Sequence, residues 1–184
     1  TPASAAGQLT WAVPAGLLTD YDTYELVWSG TISGQPVEYR RRVELCGGFL
    51  FEIADLRAFE PAFADAVRYP GWLCRAARTA AEVRFETACR QAFVPRAQRA
   101  HGTGDGTRRF TVPDNAVSRL IAGSIGTNAL TQAEVDEVVV REWGAFDRPA
   151  PKAWPPAAPV RLHYEHGLPG PTPEVSQAVM LLAR

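Results

Sequence analysis

The sequence predicts an α+β chain in two parts: an N-terminal antiparallel β module of immunoglobulin-like type over residues 1–48, and a helix-bearing domain with a β-hairpin element over residues 49–184. Three observations lead to this reading. From Gln8 to Cys46 apolar and polar residues alternate, the period that puts every second side chain on one face of a strand. After Gly47-Gly48 the apolar residues recur at three and four, the period of a helix. Beyond Pro95 the strand period returns around the glycine-rich link Gly102-Thr103-Gly104-Asp105-Gly106.

Within the first part, the alternation places Leu9, Trp11 and Val13, then Tyr24, Leu26 and Trp28, then Val37, Tyr39, Val43 and Leu45 on single strand faces. Glu38, Arg40, Arg42 and Glu44 take the wet face of the third strand, and Arg41 interrupts its apolar one. Pro14-Ala15-Gly16 and Ser29-Gly30-Thr31-Ile32-Ser33-Gly34 have turn chemistry. So small a sheet with one apolar face is marginal in water. It must be covered, either by strands upstream that complete an immunoglobulin-like sandwich or by the rest of the chain. A first residue that is Thr1 rather than Met favours the upstream strands.

The second part opens with one or two short helices over Ile53–Arg68, with Asp55 as an N-cap and Pro61 in a first turn. The longest helix is expected over Gly71–Phe93, closed by Pro95, with Leu73, Ala77, Ala81, Phe85, Ala88, Cys89 and Ala92 on one stripe. Alanines let a neighbouring helix come close. Ala77, Ala81, Phe85 and Ala88 are therefore the candidate packing face, inside the domain or between subunits.

Next come Arg96–His101 and Arg108–Val112 as the two strands of a hairpin, and Val117–Ile125 as a further strand. Thr131 and Glu134 have capping-box spacing, Val138–Trp143 reads as strand, Arg148–Pro156 as a stiff polyproline-like connector, and Val160–Tyr164 as strand again. Pro173 starts a last helix with Val175, Ala178, Val179 and Leu182 on one face and no Gly or Pro stop, so the chain is expected to continue past Arg184.

Composition narrows the function classes. A hydrophobic content of 46% is that of a globular protein, and no run reaches the ~20 apolar residues of a membrane helix. Thr1-Pro2-Ala3-Ser4-Ala5-Ala6 lacks the basic and apolar regions of a secretion signal. All basic residues but Lys152 are Arg, a bias that a GC-rich genome produces without functional demand. Cys74 and Cys89 on one helix would stand about 22 Å apart, so they cannot bridge, and three cysteines in no framework spacing read as reduced thiols.

The net charge of −1 is unevenly placed, with −5 over residues 1–67, +6 over 68–109 and −2 over 110–184. The basic middle fits an acidic partner surface or a nucleic-acid backbone, or else a solvated helix face held by the pairs Arg78/Glu82 and Glu86/Arg90.

No catalytic constellation emerges. The Gly102–Gly106 run is followed by a strand, Arg108–Val112, where a phosphate loop needs a helix start, and reads as a hairpin turn. His163 and His166 fall on opposite faces of a strand, which disfavours a shared metal. No Gly-x-Ser-x-Gly elbow is present, and Asp136-Glu137 diverge on any regular element. Neither metal, cofactor nor enzymatic activity is expected. The five dispersed tryptophans read as core plugs or interface anchors.

One ordered set of motifs is specific in combination. The helix Arg78-Thr79-Ala80-Ala81-Glu82-Val83-Arg84-Phe85-Glu86-Thr87-Ala88-Cys89 runs into Phe93-Val94-Pro95-Arg96, and the glycine-rich link precedes Phe110-Thr111-Val112-Pro113. Val160-Arg161-Leu162-His163-Tyr164-Glu165-His166-Gly167 follows, and Pro173 starts a helix with Ala178 and Leu181-Leu182-Ala183. In this order Ile53–Arg184 resembles the head-to-tail connector (adaptor) proteins of long-tailed, siphophage-type bacteriophages, particularly those of GC-rich actinobacterial hosts.

The resemblance implies a small helical bundle with a β element, assembled as a ring of twelve copies under the portal protein, with a stopper or tail-completion protein on its other side. Genomic DNA would pass through the lumen without sequence-specific binding, and the protein would reside in the virion neck. Arg96, Arg99, Arg108 and Arg109 are then the candidates to face DNA or the portal, and Val175, Ala178, Val179 and Leu182 the candidate portal- or neck-contacting face. The β-rich first fifty residues depart from the family's compact form. Competing readings are a bacterial surface or secreted β-module that binds a partner or ligand, which would need an export signal, and a phage stopper or tail-completion protein.

Overall fold

The computed structural model describes residues 3–5, 8–10, 13–14, 16–18 and 20–184. The chain is α+β and divides into two units, Thr1–Leu45 and Cys46–Arg184.

The first unit contains β1 (Ala3–Ala5), β2 (Gln8–Thr10), β3 (Asp22–Ile32) and β4 (Gln35–Leu45). They form two separate antiparallel ladders, β1 with β2 and β3 with β4, in place of the expected three-stranded sheet. Trp11 and Ala15 lie outside the described residues. In the longer ladder β3 keeps the alternation read from sequence, Tyr24, Leu26 and Trp28 being half-buried while Thr23, Glu25 and Val27 are exposed, whereas β4 is exposed on both faces up to Leu45.

Register sets Trp28 opposite Tyr39, Tyr24 opposite Val43 and Leu26 opposite Arg41, so Arg41 does interrupt the apolar face. Ser29–Ile32, expected in a turn, belong to β3. The turn is the two-residue Ser33-Gly34, with φ of 50° and 80°, a left-handed pair whose twist matches that of the flanking strands.

The second unit runs through α1 (Ile53–Phe59), a 3₁₀ turn (Pro61–Ala64), α2 (Gly71–Cys89), β5 (Arg96–Thr103), β6 (Arg109–Thr111), β7 (Val117–Ile125), β8 (Asn128–Ala129), α3 (Gln132–Asp136), β9 (Val139–Arg141), β10 (Ala145–Asp147), β11 (Pro159–His166) and α4 (Pro173–Ala183). It holds two hydrophobic clusters. The helical one gathers Leu50, Phe51, Leu56, Cys74, Ala81, Val94, Val179 and Met180, with α4 laid on α2.

Glu52, not Asp55, caps α1; Asp55 is the third residue of the capping box and accepts from the Glu52 amide at 3.1 Å. Helix α2 stops before Phe93. Arg90 adopts a left-handed conformation (φ 52°), and the Glu86 carboxylate accepts from the Phe93 amide at 3.0 Å, turning the chain ahead of Pro95.

The β part is larger than the sequence reading allowed. Strands order as β5-β11-β7-β8 in one sheet and β6-β10-β9 in another, all antiparallel. Their cluster joins Leu120, Val160, Leu162 and Tyr164 with Phe110, Phe146 and Trp154. The expected hairpin is overturned, because β5 pairs with β11 and β6 with β10.

The glycine-rich link instead lies against the segment after Trp154. Gly104 donates to Ala158 O at 2.9 Å and accepts from the Ala157 amide at 3.0 Å, and Gly106 donates to Trp154 O at 2.9 Å. A Cβ on Gly104 would stand 2.2 Å from Pro155 O, so glycine is required there by backbone proximity. The segment Arg148–Pro156 is correspondingly no free connector. Trp154 is wholly buried with its Nε1 donating to Phe146 O at 3.2 Å, and the buried Arg148 donates to Ala153 O at 2.8 Å. Thr131 and Glu134 cap α3 reciprocally, as their spacing predicts.

Candidate functional site

The two helix faces singled out from sequence meet each other. Ala81, Phe85, Val175 and Val179 all belong to the helical cluster, and Ala77 and Ala178 are half-buried. The apolar complement of α2 is thus α4 of the same chain. Leu73, Ala88 and Cys89, expected on the packing stripe, are exposed, as is Leu182.

The stripe on α2 is rotated because it includes the charged residues Arg78 and Glu82, which the sequence offers as a pair on a solvated helix face and which are buried. Arg78 and Glu82 are 5% and 6% exposed. Glu82 accepts from the Leu50 amide at 2.7 Å, and Arg78 lies 3.3 Å over the Phe49 ring, 3.6 Å from Glu52 and within hydrogen-bond reach of Phe51 O. Burial pushes the Glu82 carboxyl up, against the opposing pull of the Leu50 amide and Arg78. The pair ties residues 49–52 to α2. Glu86 bonds not Arg90 but Arg96, at 2.9 Å, both largely buried.

The four candidate arginines are dispersed. Arg96 is held by Glu86 beside the helices. Arg108 donates through Nε to Arg148 O at 2.8 Å. Arg109 grips Asp147 with two nitrogens, at 2.9 and 3.1 Å, and Arg141 adds a third contact at 3.2 Å. These bonds lower the Asp147 pKa, Arg109 contributing most, and they clamp β6, β10 and β9 together. Reversing Arg109 to Glu would place a carboxylate against Asp147 and strain the sheet.

Arg99 is exposed on the outer face of the β5–β11–β7 sheet. The β5–β11–β7 sheet packs Val160, Leu162 and Tyr164 inward, so its other face carries the alternate residues. Register aligns them in three rows: His101, Arg161 and Ser124; Arg99, His163 and Ala122; Ala97, Glu165 and Arg119. Arg99, His101, Arg119 and Arg161 are exposed. Glu165 is the one carboxylate in these rows, and Arg119 holds it at 2.9 Å. Bulges in β7 at Ile121 and Ser118 keep Arg119 and Glu165 on the same side, and Ser118 Oγ donates to Glu165 at 3.0 Å.

Sequence reasoning passed over Arg119, Arg161, His101 and His163 as a group. The signal was available as Arg99-x-His101 and Arg161-x-His163, basic residues at the positions between apolar ones. Only strand pairing shows that the two runs are neighbours.

Two further features border the β cluster. Tyr164 donates to Asp114, which also lies 3.6 Å from His166 Nδ1, and burial followed by that bond raises the Tyr164 pKa. Trp143, expected in a strand, instead sits at φ 62° in the turn between β9 and β10, 75% exposed. Gly144 after it permits Val112 to donate to its carbonyl at 2.8 Å. Among the described residues no helix is long and apolar enough to cross a membrane.

No family model matches the chain, and no curated protein matches it in sequence. Among solved structures, the chain is similar to one from the neck of an empty gene transfer agent (GTA) particle, computed with C6 symmetry. The TM-score is 0.50 and the identity 16%, over 73% of this chain and 76% of that one. The two share a fold across most of their lengths.

Proposed function

We propose that this chain is a structural, non-enzymatic protein of the neck of a tailed phage or phage-like particle, a head-to-tail connector that assembles as a ring between the portal and a stopper or tail-completion protein. The observation that carries the reading is the likeness in fold to a chain of the GTA neck over 73% of the length. The ordered motifs from Arg78 to Ala183 support it independently, since they suggest the same place in a virion. A ring of twelve copies is compatible with the six-fold symmetry of that neck, because twelve subunits form six equivalent pairs.

Exposed apolar side chains on the helices supply material for lateral contacts. Trp72 and Val83 on α2, and Leu181 and Leu182 on α4, lie outside the protomer's own cluster. The test is native mass spectrometry and negative-stain imaging of the full gene product with and without its portal protein. A closed ring, alone or on the portal, is the expected result. A chain that stays monomeric and also leaves the portal unbound sinks the reading.

A further inference from the structure

We infer that the β3–β4 ladder adds strands between copies of this chain, the open edge of β4 in one copy pairing with the open edge of β3 in the next. The inference deepens the ring reading by naming a contact between copies, and rests on it for how many copies follow one another. It concerns the first unit alone, the part that departs from the connector family's compact form.

The two eleven-residue strands have no further strand partner among the described residues, and a two-stranded sheet is marginal in water. In an antiparallel pair, alternate residues turn their N–H and C=O away from the partner. The two-residue turn Ser33-Gly34 makes Ile32 and Gln35 a hydrogen-bonded pair, so the outward groups belong to Glu25, Val27 and Ser29 of β3 and to Glu38, Arg40 and Arg42 of β4. The Thr23 amide, in the same outward set, donates to the Asp22 carboxylate at 2.7 Å, and Pro36, which has no N–H, also falls in it.

Each edge presents a surface that fits the other. A groove of about 500 Å³ is lined by Leu17, Leu18 and the six consecutive residues Tyr24–Ser29. Consecutive residues of a strand face both ways, and β4 is not among the lining, so the groove runs along the open side of β3. On β4, Tyr39 is 63% and Val43 37% exposed, although both lie on the apolar face. Pairing between copies in the register already used within one copy sets Trp28 and Tyr24 of the next copy beside them and covers both.

Charge selects this pairing over the others. Strand β3 carries Asp22 and Glu25 and no base, whereas β4 has Arg40, Arg41 and Arg42 in its middle. Charged edges keep strands from pairing with their like. Two β4 edges paired about Arg41 would set arginine against arginine, and two β3 edges have only acids to offer each other. Strand β4 against β3 sets Arg42 opposite Glu25, as it already is within one copy. The contact is head to tail, so each added copy presents a fresh β4 edge, the kind of interface from which closed rings are built.

The experiment is disulfide trapping between two full-length chains, both with the exposed native thiol removed by Cys89→Ser. One also carries Ser29→Cys and the other Glu38→Cys. These positions stand opposite each other in the inferred pairing, at a Cα spacing of ~5.5 Å that a disulfide spans. Because they are on different chains, a bond between them reports contact between copies. Mixed and mildly oxidised, the two should give a linked pair on a non-reducing gel that neither gives alone. Val27→Pro in the Ser29→Cys chain removes an outward N–H of β3 and should abolish the link, while Val27→Thr should keep it. Arg42→Glu in the Glu38→Cys chain, which leaves the backbone groups in place, should lower the yield several-fold. Circular dichroism melts confirm that the variants fold.

Linkage no stronger in the mixture than in either chain alone would overturn the inference, as would a link that survives both Val27→Pro and Arg42→Glu unchanged. Ring formation is scored separately by native mass. Rings without the link leave the neck reading standing and sink the strand pairing. Linked copies of a chain that forms no ring, alone or on its portal, do the reverse.

Discussion

The β3–β4 ladder and the β5–β11–β7 sheet are written in the same alternating code, yet their apolar faces end differently. Val160, Leu162 and Tyr164 of β11 are completely enclosed, because β6, β10 and the Trp154 segment lie over them. Tyr24, Leu26 and Trp28 of β3 reach only partial burial, and their cross-strand partners Val43, Arg41 and Tyr39 stay exposed. Alternation therefore specifies which side of a strand is apolar. Whether that side is enclosed depends on what the rest of the chain brings to it, and burial of large side chains is where most of the stabilisation arises.

The largest break in this contrast is Trp154→Ala. It removes a fully buried indole and its bond to Phe146 O from the β cluster, and should cost about 3–5 kcal/mol in denaturant unfolding. A loss under about 1 kcal/mol would mean that the segment over the sheet is not its cover. Gly104→Ala comes next. The added methyl meets Pro155 O and Trp154 O, so the link must move off the Trp154 segment, at roughly 1–3 kcal/mol. An unchanged urea midpoint would show that the close approach does not matter.

Asp147 sharpens the comparison through pH. Its pKa is depressed in the folded state, chiefly by Arg109, so its contribution is present above the unfolded carboxylate value and is lost as pH falls through the folded one. Asp147→Asn should lower stability at neutral pH and flatten the acid limb of a stability profile measured below about pH 4. An acid limb as steep as wild type would remove Asp147 from its cause.

The smallest effect belongs to the ladder. Trp28→Ser breaks a cross-strand pair with Tyr39 on a half-exposed face and should cost at most about 1 kcal/mol by thermal melting. A cost near that of Trp154→Ala would show the ladder face to be enclosed after all.

Legibility of the site followed the same division. The helix faces around Ala81 and Val179 were readable as apolar stripes, but amphipathic periodicity names a face without naming its partner, and the partner was in the same chain. The i,i+4 spacing of Arg78 and Glu82 offers a pair on a solvated helix face as one of two alternatives, and burial is not among them. Here each is compensated by backbone amides, carbonyls or an aromatic ring contributed from residues 49–52, about thirty positions away. The basic sheet face was half visible: Arg99 was named, while Arg161 and Arg119 lay too far along the chain to be grouped with it.

The sequence by itself determined the local features: the strand period of β3 and β4, the capping box at Thr131, and the helical stretches after Gly47-Gly48. These follow from backbone and side-chain preferences within a few residues. Only the tertiary structure decided that β5 pairs with β11 rather than with β6, that the glycine link exists for close packing rather than for a hairpin, and that Arg99 stands beside Arg161. Strand partnership is a choice among distant segments made by total burial and hydrogen bonding, and no local pattern encodes it.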